Sequence, residues 1–424
     1  MKRLVCLCAL LAALLSAASG AARPLDAPPT PDFWGMVVRD PGYEWNTNPA
    51  YPNEVNRDFI DAMLDNLAYA GVQWVRFEFH GAWDGSPYGA INLAQADYFV
   101  QAAHARGIKV LALLGTDLLR GPQSGVTHFD GGTVSGVIPT DNPDRELSPC
   151  PPLPIGCGVN GYQKAWLERA ILLAGHYAGQ IDAYEIFNEE NFYFALRDAT
   201  QAQQDEMNPY YVAQTITKLF RILRTQAAPD LTPLLIGGLH PKKSVESGRT
   251  DLAYLDALYS APAFTGYQQA NGRWPVDGVA YHPYPSEMVK SDNDYLYLVG
   301  PRLDAMIAAI RSRDASAKLW VTEVGTRGDP ASYPDMRRQA EFLRQIAQII
   351  AARQPDVGPW FWFKYEDFPP ASEAWGVVSI PFDGQGNYDP FGAVKLYKPA
   401  YAQYRILALD LRLDQRVWLP TVRR

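Results

Sequence analysis

Tyr184-Glu185-Ile186-Phe187-Asn188-Glu189-Glu190-Asn191 is a short apolar run that stops at a carboxylate, and Leu319-Trp320-Val321-Thr322-Glu323-Val324-Gly325 repeats that plan far along the chain. A buried strand that ends in an acid and then turns aims the acid into a cleft. Outward from these two segments, the chain alternates between two kinds of stretch. One is short, apolar and often β-branched: 33–38, 72–79, 108–114, 181–187, 234–239, 276–281, 319–324 and 359–365. The other spaces its apolar residues at helical intervals: 59–69, 93–105, 163–177, 210–225, 252–259, 301–311, 336–352 and 399–409. Glycine or proline marks most junctions, as at Gly71, Gly107 and Pro275.

Strands that are apolar on both faces and alternate with helices imply a parallel sheet covered by helices. Eight such units on 424 residues fit an α/β fold of the closed (β/α)8 TIM barrel type, a single domain over residues 23–411. An open doubly wound sheet would be favoured by a Gly-x-Gly-x-x-Gly loop after the first strand, and the sequence has none there. Counting strands puts Glu189 at the end of the fourth and Glu323 at the end of the seventh. In a barrel those ends look across one mouth. Two long excursions, 115–160 and 369–394, also leave the C-terminal ends of strands, where the walls of such a mouth are built. Residues 412–424 form a short mixed tail.

Lys2 and Arg3 precede an apolar run from Leu4 to Leu15, and small residues follow through Ala22. That is the pattern of a secretory signal over residues 1–22, and the apolar run is short for a membrane span. The expectation is a secreted protein, extracellular or periplasmic, with no membrane association after signal cleavage. Losing residues 1–20 removes two of the 38 bases and none of the 46 acids, which takes the net charge from −8 to about −10. An acidic chain repels phosphates, so no nucleic-acid partner is expected. Cys6 and Cys8 leave with the signal. The two that remain, Cys150 and Cys157, bracket a proline-rich loop and are expected to form a disulfide in an oxidising compartment.

The six histidines are scattered without His-x-His or His-Glu-x-x-His spacing, and no Gly-x-x-x-x-Gly-Lys-Ser/Thr loop occurs. No metal and no cofactor is expected, so side chains must supply the chemistry. The run at 184–191 resembles the Trp-Glu-Ile-Trp-Asn-Glu-Pro-Asn signature of the glycoside hydrolase clan A barrels. Thr322-Glu323-Val324-Gly325 resembles the Thr-Glu-x-Gly that ends strand seven in that clan. His282-Pro283-Tyr284 on strand six, Arg76 on strand two and Trp362 on strand eight extend the likeness over roughly residues 33–409. The spellings at 72–79 and 280–285 are closer to family 39 than to the common family 5 cellulases, and Gly115-Thr116-Asp117 stands where many cellulases carry a histidine.

The resemblance implies a retaining glycosidase acting on a β-linked oligo- or polysaccharide, with Glu323 as nucleophile and Glu189 as acid/base. Arg76 would hold Glu323 ionised, and Tyr284 would orient it. Asn188 would contact a sugar hydroxyl, His282 would line the site, and Trp362 would offer a flat face to the ring. Glu189 would have to stay protonated before attack. Glu190 replaces the clan's proline and is a rival acid. Glu78 and Glu185 read as satisfied structural carboxylates, and His240 as a cleft-lining histidine. Trp83, Tyr88, Phe192, Tyr193 and Trp375 are candidate subsite aromatics. Two other readings stay open. One is a metal-dependent sugar isomerase-type barrel with Glu189, Glu323 and His282 as ligands. The other is a non-catalytic carbohydrate-binding barrel. The sugar, its linkage and the oligomeric state have no signature in the sequence.

Overall fold

The computed structural model describes residues 32–40, 55–81, 90–91, 93–119, 146–192, 207–226, 229–241, 249–285, 296–368, 373–383 and 388–410. Residues 1–22, expected to be a signal, the C-terminal tail at 412–424, Trp83, Tyr88 and Tyr193 lie outside them. Eight strands pair in parallel in chain order: β1 (Trp34–Val37), β2 (Trp74–Glu78), β3 (Lys109–Leu114), β4 (Ala183–Asn188), β5 (Leu234–Leu239), β6 (Gly278–Tyr281), β7 (Lys318–Val324) and β8 (Val357–Trp362). The last closes on the first, with Trp34 opposite Trp360 and Met36 opposite Trp362. This is the expected closed barrel.

Nine helices among the described residues cover it: α1 (Arg57–Tyr69), α2 (Leu93–Ala105), α3 (Gly161–His176), α4 (Pro209–Thr225), α5 (Asp251–Ser260), α6 (Pro262–Asn271), α7 (Leu296–Arg313), α8 (Tyr333–Ala351) and α9 (Pro399–Ala408). The sequence pattern predicts eight of them and misses α6. That helix begins at Pro262 and ends at Gly272 with a φ of 70°, the usual proline and glycine bounds. Its only buried apolar side chains are Phe264 and Tyr267, too sparse a stripe to register. The 369–394 excursion adds β9 (Val378–Ser379), which pairs antiparallel with β10 (Leu396–Tyr397).

Two layers of apolar packing hold the barrel. Val37, Trp74, Leu111, Ala183, Leu235 and Phe361 fill its interior, with Trp320 and Phe363 against them. A far larger layer lies between sheet and helices. Each fully buried aliphatic or aromatic side chain there contributes about 1.5–3 kcal/mol. Gly35 is required for the inner layer, because a Cβ there would lie 2.5 Å from the Phe361 ring.

Cys150 and Cys157 are disulfide-bonded, as expected, with Cα atoms 4.6 Å apart. Lys218 on α4 donates to the carbonyls of Ile155 and Cys157 at 3.1 and 2.7 Å, tying the bridged loop to the helix layer. No helix among the described residues is long and apolar enough to cross a membrane.

Candidate active site

Simple strand alternation does not deliver the site; three departures from it do. On β7, Val321 and Val324 both pack outward against the helices, so the pairing with β8 shifts register between them. The two residues in between, Thr322 and Glu323, therefore both reach the barrel interior, as expected of a bulge. On β4, Ile186 and Phe187 both face the helix layer, with Phe187 at a φ of 66° and Glu189 at 52°. This left-handed turn swings Asn188 and Glu189 over the mouth. On β5, Gly237 and Gly238 leave room for their neighbours. A Cβ at 237 would lie 2.3 Å from the Phe187 carbonyl oxygen, and one at 238 would lie 1.9 Å from His282 Nε2.

Arg76 is the hub. Its Nε donates to Glu185 at 2.6 Å, and its terminal nitrogens donate to Glu323 at 2.6 Å and Asn188 at 2.8 Å. Tyr284 donates its hydroxyl to the other Glu323 oxygen at 3.1 Å. Glu185 is fully buried and accepts from Arg76, from the Gly238 N–H at 2.8 Å and from Thr322 at 2.9 Å. It is the satisfied structural carboxylate the sequence suggested.

His282 joins the two ends of the site. Thr322 donates its hydroxyl to Glu185, so it must accept from His282 Nε2 at 3.0 Å, which places a proton on that nitrogen. His282 Nδ1 then faces Glu189 Oε1 at 3.0 Å, with one further proton between them. Burial opposes charge on both groups. Glu323 and Glu189 nevertheless raise the His282 pKa, and the His282 bond, His240 and Arg76 lower that of Glu189. The sequence reading requires a protonated Glu189. In the free site that proton is shared with His282 across the 3.0 Å contact, and the Glu189 and Glu323 carboxylates facing the ring favour its imidazolium form.

An oxygen of Glu189, a nitrogen of His282 and an oxygen of Glu323 all lie within 4.8 Å of one another. Glu190, the rival acid, is not there. It is fully buried, and both carboxyl oxygens lack hydrogen-bond partners among the described residues. Burial, with Glu185 and Glu189 adding, pushes its carboxyl up to about 8. An acid raised in the fold costs nothing below its unfolded pKa. The cost grows as pH rises from about 4.5 and levels off past about 8. Glu190→Gln removes that titration. The fall in melting stability between pH 5 and pH 8 is expected to shrink by a few kcal/mol in the variant. Equal slopes for variant and wild type in calorimetric melts would contradict this.

Trp362 is not at the site. It is fully buried and faces outward, edge-on to Phe342 of α8 with ring centroids 6.0 Å apart. Strand parity explains the correction: Trp360 and Trp362 share the outer face, and Phe361 and Phe363 the inner one. The mouth at β8 is lined instead by Phe363, with Trp375 and Tyr284 set edge-to-face around it at 5.7 and 6.5 Å. Arg327 lies over the Trp375 ring at 4.9 Å, and Glu373 accepts from the indole at 2.8 Å. On the opposite side, Phe192 stacks on His240 at 4.3 Å and 17°. The Asn191 side chain brackets the His240 backbone, accepting from its N–H and donating to its carbonyl, both at 2.8 Å. The glycines of β5 and Asn191 went unnoticed in the sequence. Gly237-Gly238 inside an otherwise apolar strand was the available signal.

An eight-stranded parallel barrel, here with two glutamates facing one another at the ends of β4 and β7, defines a class of fold shared with known enzymes. Solved structures with this fold include a family 39 glycoside hydrolase from Bacteroides cellulosilyticus WH2, 15% identical over 91% of this chain, with a TM-score of 0.50. This chain spans 64% of that protein's length. A hyperthermostable endo-1,4-β-D-mannanase from Thermotoga petrophila RKU-1 is 15% identical over 89% of this chain and 99% of its own, with a TM-score of 0.52. A rice β-glucosidase is 13% identical over 89% of this chain and 98% of its own, with a TM-score of 0.59. The structural neighbours are thus glycoside hydrolases of the clan A barrel type, and at these identities the likeness is one of fold. No family model and no curated protein sequence matches the chain.

Proposed function

We propose that the protein is an exported glycoside hydrolase that cleaves β-linked sugars with retention of configuration. The observation that carries this reading is the approach of Glu189 and Glu323, whose oxygens lie within 4.8 Å across the mouth. Retaining glycosidases hold their two carboxyls about 5–5.5 Å apart, whereas inverting ones need about 6.5–9.5 Å for an intervening water. In this reading Glu323, fixed by Arg76 and Tyr284, attacks the anomeric carbon and forms an ester as the glycosidic C–O bond breaks. The proton shared by His282 and Glu189 passes through Glu189 to the departing oxygen. Glu189 then takes a proton from water, whose oxygen attacks the anomeric carbon and frees Glu323. The signal-like N-terminus and the Cys150–Cys157 bridge support action outside the cytoplasm.

A panel of β-linked glucans, mannans, xylans and bacterial exopolysaccharides, followed by proton NMR, tests the proposal. The β-anomer of the new reducing end is expected first. First appearance of the α-anomer would overturn retention, and no cleavage across the panel would overturn the hydrolase.

The cluster of Glu189, His282 and Glu323 also has the spacing of a metal site, which favours the isomerase-type reading in one respect. Arg76 opposes it, because a guanidinium 2.6 Å from Glu323 repels a divalent cation. Activity that survives a chelator separates the two.

A further inference from the structure

Trp74, Arg76 and Glu78 face the barrel interior along β2, while Val75, Phe77 and Phe79 pack against the helices. Glu78 therefore stands one inward position beyond Arg76, at the lip of the mouth that holds Glu323. The sequence reading made it a satisfied structural carboxylate, and the structure disagrees. Glu185, Glu189 and Glu323 each bond a basic side chain. The Glu78 carboxyl, partly exposed, takes part in no hydrogen bond or ion pair among the described residues.

Its surroundings hold it in place without satisfying it. The Glu78 N–H donates to Asp40 at 2.5 Å, Asp40 pairs with His80 Nε2 at 2.8 Å, and His80 Nδ1 faces Asp117 at 3.3 Å. Glycine at 115 makes room for the carboxyl, since a Cβ there would lie 1.9 Å from Glu78 Oε1. Burial and the neighbouring Asp117 push the Glu78 carboxyl up to about 8. His80 and Asp117 each place a polar side-chain atom within 4.8 Å of the carboxyl, whose oxygens accept from hydroxyls and, in the protonated form, also donate to one.

We propose that Glu78 is a specificity-determining residue of this mouth, bonding adjacent hydroxyls of the neutral sugar whose anomeric carbon faces Glu323. The inference rests on the glycosidase reading and adds a substrate class to it. Asp40 and Asp117, with side chains 24% and 19% exposed, flank the position; His80 is shared between them and Arg76 between Glu185 and Glu323, so carboxylates outnumber cations and a uronate there would meet net like charge.

Wild type, Glu78→Ala and Gly115→Ala are compared on the neutral β-glycan that the wild type cleaves best and on its uronic-acid counterpart, with melting curves alongside. Glu78→Ala is expected to raise KM about tenfold or more with a smaller change in kcat and an unreduced Tm. Gly115→Ala, which displaces the carboxyl sterically, is expected to share that defect. Aryl β-glycosides lacking one ring hydroxyl supply a readout that a merely structural role would not move. For the hydroxyl that Glu78 bonds, the loss from the deoxy substrate and the loss from Glu78→Ala are expected to overlap rather than add. If the wild type turns over and Glu78→Ala stays within twofold in kcat/KM, this proposal falls and the glycosidase reading stands. If the wild type cleaves the uronic-acid polymer as well as the neutral one, the substrate class is wrong. A wild type that cleaves nothing in the panel takes both readings down together.

Discussion

Glu323→Ala is expected to lower kcat/KM by about 10⁴-fold or more on any β-glycan that the wild type cleaves, with the fold intact. The magnitude follows from the role. Among the described residues, Glu185 is buried beneath Glu323 and Glu189 faces it, so neither takes its place at the anomeric carbon. The variant also carries its own positive control. Small anions such as azide fit the space left by the carboxylate. In a retaining enzyme they attack directly and give a glycosyl azide of inverted configuration, and Arg76 remains to attract them. Activity within tenfold of wild type, or no azide product from a folded variant, would remove Glu323 from the reaction. Folding is not at issue, because Arg76 keeps Glu185 and Asn188 as partners.

Arg76→Met is expected to do two kinds of damage at once. Arg76 is 3% exposed and is the cation shared by the fully buried Glu185 and the largely buried Glu323. Removing one partner of a buried ion pair leaves an uncompensated charge and costs about 3–5 kcal/mol. The deficit should be smaller in acid than at neutral pH, because the uncompensated charge is negative. Activity should fall together with stability, because Glu323 loses the 2.6 Å bond that fixes one of its oxygens. Chemical denaturation at pH 4.5 and pH 7.5 measures the first effect, and kinetics at a temperature where both proteins are folded measures the second. A variant as stable as wild type at pH 7.5 would mean that water or rearrangement satisfies Glu185, and the hub description would be wrong.

The barrel was legible because its signal is redundant. Eight apolar runs alternate with eight amphipathic ones, and an error in any one leaves the count intact. The ring of Arg76, Asn188, Glu189, His282, Tyr284 and Glu323 was legible for a different reason: each is a polar residue within or just beyond an apolar strand, where a core role is unfavourable. Trp362 was misread because strand parity alone does not say which face is inner. The apolar inner partners Phe361 and Phe363 look no different from Trp360 and Trp362 in a run that is buried on both sides. Glu78 was misread because an acid with a partner and an acid without one have the same letter. Glu190 and Glu189 are adjacent acids, and only the left-handed turn at Phe187 and Glu189 sends one to the mouth and the other into the core. The location of the proton on His282 depends on Thr322 donating to Glu185, a relation among three strands that no local spacing encodes.

The bulge on β7 makes Thr322 and Glu323 chamber-mates although they are neighbours in the chain. Thr322 fixes the tautomer of His282, and Glu323 is the attacking group in the proposed reaction. A deletion of one residue in this strand would therefore turn one of them outward and put an apolar valine in the chamber. The strand has no half-functional setting. Variation here would be all or nothing, whereas loops beyond the mouth can change length by degrees. A lineage or a designer wishing to alter what this mouth accepts has freedom in those loops, and a fixed frame in the seven residues of β7.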